Sequence, residues 1–308
     1  MKTSIIPVKA FILLVLLCTT APLKADDVLT RFDSLFDSLY SVVDFLPEYH
    51  MEADLSTFAL HKNDFYRRRY CFEGNMNLEF VFFSVRKLVY STWEFGLLTG
   101  AGQVPENLAF SLLDIDYTII PAFELRLQPL FIQCGIEHRC FHEIDRTEFG
   151  LVHWNKVYLG FMSPNARSAD YWQGLASHDN WKPLERFSWK LRAGFFPYSW
   201  FGAFTEFFIS RDNWREYEAD LDLRYTFFRL RSWMVNARTK TTVGYWNDHA
   251  SDQYGYWRQD FILENNFRRG DQGMLLYVQY TLDGMPLYNG QPRFNKDQLL
   301  QFGVRFFY

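Results

Sequence analysis

The chain has 308 residues, and removal of a leader of about 25 residues would leave enough chain to bury a substantial core. Hydrophobic residues make up 48% of it and aromatic residues 19%, which excludes a disordered or low-complexity protein. The formal net charge of −4 provides no basic surface, so we expect no nucleic-acid partner. Outside the leader, no apolar run approaches the roughly 18 residues of a membrane-spanning helix.

The first 25 residues have the pattern of a signal peptide. Lys2 and Lys9 precede the apolar run 11–17, and Ala25 supplies a small residue before Asp26 and Asp27. We therefore expect export across the inner membrane, with residues 1–25 removed.

Cysteines do not form a disulfide framework in the mature chain. Cys18 leaves with the leader, and Cys71, Cys134 and Cys140 remain. An odd number outside the cytoplasm leaves at least one free thiol. Cys134 and Cys140 would lie about 20 Å apart on one strand, at roughly 3.3–3.4 Å per residue, so they cannot pair.

Residues 26–47 are predicted to form a periplasmic amphipathic helix. Apolar residues recur at helical spacing from Val28 to Leu46, Asp33 and Asp37 fall on the polar side, and Pro47 ends the pattern. Two interpretations stay open: the helix lies against the membrane surface or the barrel mouth, or it is simply docked on the domain.

From about residue 50 the hydrophobic period changes to two. In 217–227, apolar residues such as Tyr217, Leu221 and Phe227 alternate with charged ones such as Glu218 and Arg224. A soluble β-sandwich would direct the charged face to water and the apolar face to a second sheet. An outer-membrane barrel would direct the apolar face to lipid and the charged face to the lumen, where mixed charges pair and fill the space.

The carboxyl-terminal strand favours the barrel. Phe302, Val304, Phe306 and Tyr308 alternate with more polar residues and end the chain on an aromatic residue. This resembles the closing strand of Gram-negative outer-membrane proteins, which implies recognition of Phe306 and Tyr308 by the barrel-assembly machinery. We therefore predict an all-β fold: a transmembrane antiparallel β-barrel over residues 48–308, integral to the outer membrane and in contact with its lipid and lipopolysaccharide. Arg67, Arg68 and Arg69 are either a lipopolysaccharide contact at the outer rim or a charged strand end.

Strand counting gives thirteen candidates, and twelve is favoured because single-chain bacterial barrels have even numbers. One of the candidates is 200–211. Counting back from the carboxyl end makes 163–186, 246–255 and 284–297 long outer loops. Counting forward from residue 50 makes Val85-Arg86 and Gln128-Pro129 periplasmic turns. The two counts disagree about which rim holds the turn at 143–149.

The segment 137–146 does not have the composition of ordinary barrel wall. Leu130, Ile132, Cys134 and Ile136 form the apolar row of its strand, and His138, Cys140 and His142 continue that row. Polar side chains in a lipid-facing row are costly unless they lie near the interface or have partners. After the turn, His153 and Asn155 share a face with Val157, so these five polar residues can meet on one hairpin.

Two resemblances attach to this segment. His138-x-Cys140-x-His142-x-x-Asp145 is similar to a His-x-Ser-Ser-His-x-x-Asp segment in uncharacterised barrel families. More remotely, His138-x-Cys140 followed by Trp154-Asn155-Lys156 resembles outer membrane phospholipase A, which carries His-x-Ser and a later Trp-Asn-Arg on the lipid-facing side of a twelve-stranded barrel. This resemblance implies His138 as general base, Cys140 as nucleophile and Asn155 as the group orienting the imidazole, with His142, Asp145 and His153 in support. The chain differs in having Cys for the nucleophilic Ser, and it lacks the Asn-Gly that follows that Ser.

Two other interpretations of the segment stay open. The imidazoles and the thiol can simply hydrogen-bond to the turn, with Asp145 and Arg146 paired at its tip. Alternatively, His138, Cys140 and His142 can bind a divalent metal. His138 and His142 would lie about 13 Å apart along the strand, so a metal would need a further ligand such as His153. No other cofactor is evident in the sequence.

Three functions follow from the sequence. The first is a barrel with structural, interaction or envelope-maintenance duties. The second is a lipid acyl hydrolase that uses His138, Cys140 and Asn155. The third is a small-solute channel.

Overall fold

The computed structural model describes residues 42–61, 71–103, 110–127, 129–144, 151–166, 186–197, 215–247, 253–269, 272–283 and 297–308. Regular structure in these ranges consists of strands and one short 3-10 turn, Pro164–Ala166. The strands are β1 (Val43–Phe45), β2 (Tyr49–His61), β3 (Phe72–Val85), β4 (Val89–Gln103), β5 (Phe110–Leu127), β6 (Leu130–Glu143), β7 (Leu151–Met162), β8 (Phe187–Phe195), β9 (Arg215–Leu230), β10 (Trp233–Asn247), β11 (Gln253–Arg269), β12 (Gln272–Asp283) and β13 (Asp297–Phe307).

Within the described ranges, twelve strands, β2 to β13, form a closed antiparallel barrel. Each strand pairs with its neighbours in the chain, and β13 pairs with β2 to close the ring, for example at Val304 and Leu55. The predicted all-β barrel of about twelve strands is confirmed. The candidate strand 200–211 lies outside the described residues, and β8 and β9, on either side of it, pair directly with each other.

The barrel has two rims, and the strand ends at each rim decide between the two turn counts. We call the rim that carries Tyr49 and Tyr308 the terminal rim, and the opposite one the distal rim. The turns after β3, β5 and β9 lie at the terminal rim, whereas β6 ends and β7 begins at the distal rim. The forward count was therefore correct for 143–149. The backward count was wrong for 163–186, because β7 ends and β8 begins at the terminal rim.

Side chains alternate across the barrel wall with apolar residues outside. On β9, Tyr217 is 61% exposed and its neighbour Glu218 only 6%. On β13, Phe302, Phe306 and Tyr308 are exposed, whereas Gln301 is buried. The burial pattern is thus the inverse of that of a water-soluble barrel, in which the apolar face is inside.

Paired charges fill much of the interior. Lys156, 1% exposed, places Nζ 2.7 Å from Oε1 of Glu218 and 2.8 Å from Oδ2 of Asp220. Lys190 and Arg192 on β8 reach across the interior to Glu94 on β4, the first of them at 3.1 Å. Charged groups are stable in such a location because each finds an opposite charge.

Buried polar side chains line the interior near both rims. Glu124, Asn236 and Asn266 lie within a few residues of turns at the terminal rim, and all three are fully buried. Towards the distal rim, the side chains of Asp220 and Arg258 are 35% and 36% exposed. Arg215 and Glu218, which lie nearer the distal rim than Asp220, are 2% and 6% exposed, so buried side chains occupy both halves of the interior.

The predicted amino-terminal segments are described only at their end. The signal peptide 1–25 and the helix over 28–41 lie outside the described residues. Val43–Phe45, predicted as helix, is strand β1, in a compact unit separate from that of Leu46–Tyr308. Leu46, which follows β1, has a φ of 48°, in the left-handed region, so a right-handed helix cannot continue through it to Pro47. Among the described residues, no helix is long and apolar enough to cross a membrane.

Candidate functional site

Three neighbouring strands assemble the candidate site on the outer face of the barrel. Across β5, β6 and β7, Tyr117 pairs with Cys140, and Cys140 pairs with His153. One step further from the distal rim, His138 pairs with Asn155. Because all these positions have outward parity, their side chains project from the same patch of wall.

His138 and Asn155 are joined by a side-chain hydrogen bond across β6 and β7. Nδ1 of His138 lies 2.9 Å from Oδ1 of Asn155. An amide oxygen can only accept a hydrogen bond, so Nδ1 carries the proton and donates it. Asn155 therefore selects one tautomer of His138 and leaves its Nε2 as a proton acceptor.

Cys140 is hydrogen-bonded to a different imidazole. Its Sγ lies 3.3 Å from Nε2 of His142, two residues along the same strand. The Tyr117 hydroxyl interacts with the sulfur as well, from the paired position on β5. Within the part of the chain that the structure describes, no hydrogen bond joins Cys140 to His138. The site consists of two linked units, His138 with Asn155 and Cys140 with His142 and Tyr117.

Aromatic rings cover the thiol. The ring of Tyr117 stacks on His142, with centroids 5.5 Å apart, and lies 6.0 Å from the ring of His138. The rings of His138 and His153 are 6.4 Å apart. Cys140 is consequently 2% exposed, whereas Cys134, in the same outward row, is exposed. A substrate would reach the sulfur only after one of these rings moves aside.

Charged pairs support the site from the inner side of the wall. Arg139, between His138 and Cys140 in sequence, binds Asp116 on β5 through Nη2 at 2.5 Å. Its guanidinium also lies over the ring of Trp154 on β7, 5.2 Å from the centroid. On the inner side of the wall, these contacts join the three strands β5, β6 and β7 that carry the site.

The structure brings together most of the residues predicted from the sequence. His138, Cys140, His142, His153 and Asn155 share the outer face. Asp145 and Arg146 lie outside the described residues, as do Arg67, Arg68 and Arg69. Tyr117 was not among the predicted site residues, although the pairing of Leu127 with Leu130 aligns β5 with β6 and so places Tyr117 beside Cys140.

Two sequence hypotheses find no support in the described geometry. Within the described ranges, no group of three or more His, Cys, Asp or Glu residues is arranged to hold a metal ion. The distance of 3.3 Å between Sγ of Cys140 and Nε2 of His142 suits a hydrogen bond. The expected direct contact between Cys140 and His138 is replaced by the contact with His142.

The comparisons with known proteins give distant structural likenesses. No protein-family model matches the sequence, and no curated protein sequence matches it. Similar solved structures include outer membrane phospholipase A from Escherichia coli, at 12% identity and a TM-score of 0.47, over 88% of this chain and 96% of that one. The KdgM porin has 8% identity and a TM-score of 0.43, over 83% of this chain and 98% of that one. LpxR from Salmonella typhimurium has 6% identity and a TM-score of 0.39, over 84% of this chain and 100% of that one. The assignment of the fold rests on the strand pairing of this chain itself.

Proposed function

We propose that this chain is an integral outer-membrane β-barrel with a structural or envelope-maintenance role and a closed lumen. The observation that carries the proposal is the inverted burial of the wall. Large apolar side chains such as Tyr217 and Phe261 are exposed on the outside, while Glu218 and Glu264 are buried inside. A closed barrel pairs every strand edge internally, as hydrocarbon requires of a spanning sheet.

The interior favours a closed barrel over a solute channel. Glu264 is fully buried and contacts Arg224 and Arg238, at 3.4 and 3.6 Å. Arg192 spans from β8 to Glu94 and to Gln133, the latter at 3.0 Å from Nη2. Ion pairs that cross the interior occupy the space through which a solute would pass.

Two measurements test this proposal. The protein should fractionate with the outer membrane, resist extraction by alkali or urea, and give single-channel recordings without conductance in planar bilayers. Recovery in the periplasm without detergent would contradict the membrane assignment. Steady conductance steps of the folded barrel would contradict the closed lumen.

A second function, hydrolysis of an acyl ester in membrane lipid, is favoured by the contact between His138 and Asn155. An oriented imidazole and a thiol on the outer face would meet a substrate that is already dissolved in the membrane. The distal rim, near which the site lies, would be on the outer-leaflet side, because the short turns after β3, β5 and β9 lie at the opposite rim and short turns are periplasmic in outer-membrane barrels. Cys140 would be the nucleophile, and Asn155 would orient His138.

Turnover of phospholipid by the purified protein in detergent tests this second function. Cys140→Ala should abolish turnover, because it removes the nucleophile. Cys134→Ala is the matched control: it removes a thiol from the same strand and the same outward row, and should leave turnover unchanged. Absence of turnover in the wild-type protein, or equal loss in both variants, would refute the hydrolase.

A further inference from the structure

We propose that His142, and not His138, accepts the proton of Cys140, and that Tyr117 is a positioning residue for the sulfur. This inference rests on the second proposed function, that of an acyl hydrolase. It changes the assignment of the base, because the resemblance to outer membrane phospholipase A implied His138. The observation that carries it is the contact of 3.3 Å between Sγ of Cys140 and Nε2 of His142.

The imidazoles of His138 and His142 have different side-chain partners. Nδ1 of His138 is engaged by Asn155 across the β6–β7 pair, whereas Nε2 of His142 faces the sulfur on its own strand. A base must lie within hydrogen-bond reach of the proton it takes, and His142 meets this condition. His138 is then a second imidazole held in a fixed orientation beside the thiol.

Tyr117 holds both the base and the nucleophile. Its ring stacks on His142 with an interplanar angle of 25°, and its hydroxyl interacts with the sulfur of Cys140. Tyr117 and Cys140 are directly paired across β5 and β6, so the backbone register sets their approach. The phenol therefore restrains His142 and Cys140 relative to each other without touching the acyl carbon.

The chemical step balances with these groups alone. The proton of the Cys140 thiol passes to Nε2 of His142 while the sulfur bonds to the carbonyl carbon of the ester. The ester C–O bond breaks, and the proton on Nε2 goes to the leaving alcohol oxygen. Water then attacks the thioester, giving its proton to Nε2; the C–S bond breaks, the sulfur takes that proton, and a free fatty acid leaves.

Thiol alkylation tests the assignment without measuring hydrolysis. N-ethylmaleimide would be applied to the folded full chain, and modification of Cys140 and Cys134 followed by peptide mass spectrometry against pH. The titratable groups that face Cys140 are Tyr117 from β5, His138 and His142 from β6, and His153 from β7. Cys134 is the internal reference, because it occupies the same row outside this group.

The variants give opposite expectations for the two imidazoles. His142→Gln should lower the rate of Cys140 alkylation at neutral pH about tenfold relative to Cys134, since the thiol loses its proton acceptor. His138→Gln should change that ratio less than twofold. Tyr117→Phe keeps the ring and removes the hydroxyl, and should give an intermediate loss. Heat-modifiable migration on gels should be preserved in all three variants.

The outcomes separate this inference from the hydrolase itself. A tenfold loss confined to His142→Gln supports His142 as acceptor even when phospholipid turnover is absent, in which case only the hydrolase fails. A loss in His138→Gln with none in His142→Gln overturns the inference. Equal losses in both variants, or an unchanged ratio in both, overturn it as well.

Discussion

Asn155 and His138 meet across β6 and β7 at 2.9 Å, although they are seventeen residues apart in the chain. The hairpin register produces the contact, because the two residues are direct cross-strand partners. Cross-strand partners have their Cβ atoms about 5 Å apart, which suits a hydrogen bond between an amide and an imidazole. The orientation of His138 is thus a property of the wall itself.

Removal of the Asn155 amide should lower phospholipid turnover without unfolding the barrel. Asn155→Ala removes the hydrogen bond that orients His138 beside the thiol, worth about 0.5–1.5 kcal/mol, so kcat/KM should fall roughly two- to tenfold although His142 takes the thiol proton. Val157→Ala is the control, because Val157 is the next outward residue on β7 and pairs with Ile136 instead of His138. A turnover equal to wild type in Asn155→Ala would show that the contact does not serve catalysis.

Lys156 should be essential to the stability of the interior. Its ammonium group binds Glu137, Glu218 and Asp220, at 3.0, 2.7 and 2.8 Å. Lys156→Met would leave the three carboxylates without their shared cation, at a cost of about 3–5 kcal/mol. The midpoint of heat-induced unfolding, followed by gel migration, should therefore fall. Lys87→Met, in the exposed turn after β3, should leave the midpoint unchanged; equal midpoints for both variants would contradict this role.

The architecture could be predicted from the sequence because it depends on a local pattern. Alternation with period two places Tyr217 and Glu218 on opposite faces whatever the neighbouring strands are. The predicted signal peptide, the absence of long apolar runs after it and the aromatic residue Tyr308 in the last strand then favour apolar side chains outside the barrel over apolar side chains inside it. These arguments need no knowledge of which strands pair.

The details of the site depend on register and side-chain orientation, which a pattern does not contain. Parity places His138, Cys140 and His142 in one row, but it does not say which imidazole turns towards the sulfur. Tyr117 could be recognised only after β5 and β6 had been aligned through their turn. The rim of the 143–149 turn was ambiguous because one additional candidate strand, 200–211, reversed the backward count.

Aromatic rings lie over glycines on the inner wall, and these glycines should be intolerant of substitution. At Gly303, an added Cβ would lie 2.2 Å from Cζ of Tyr277, whose hydroxyl donates to Oδ1 of Asp54 at 2.7 Å. Gly303→Ala must displace this anchored ring, so we expect a destabilisation of about 1–3 kcal/mol, measured by urea unfolding in detergent. At Gly255 the nearest atom is 3.7 Å away, and Gly255→Ala should have little effect. Equal unfolding curves for the two variants would refute the packing argument.

Arginine substitutions along the outer row of β6 should report the depth of the hydrocarbon. Ile136 is near the middle of the strand and exposed on the outer face, whereas Ile144 follows its distal end. In a lipid bilayer, Ile136→Arg should lower the free energy of unfolding by about 2–4 kcal/mol, and Ile144→Arg should lower it by about 0–1 kcal/mol. Reversible urea unfolding in vesicles measures the difference. Costs of equal size at the two positions would mean that the outer face does not contact hydrocarbon.

The terminal aromatic residues should act in assembly of the barrel more than in its final stability. Phe306 and Tyr308 project outward, and the backbone of Tyr308 pairs with Met51 whatever its side chain. Tyr308→Ala should therefore preserve closure of the barrel but reduce the amount that reaches the outer membrane several-fold, because the resemblance of this strand implies recognition by the assembly machinery. Tyr225→Ala is the matched control, since Tyr225 is an outward tyrosine of similar exposure within β9. The ratio of folded to unfolded protein in outer-membrane fractions distinguishes the two. Equal reductions would mean that any outward tyrosine matters, and that the chain end carries no signal of its own.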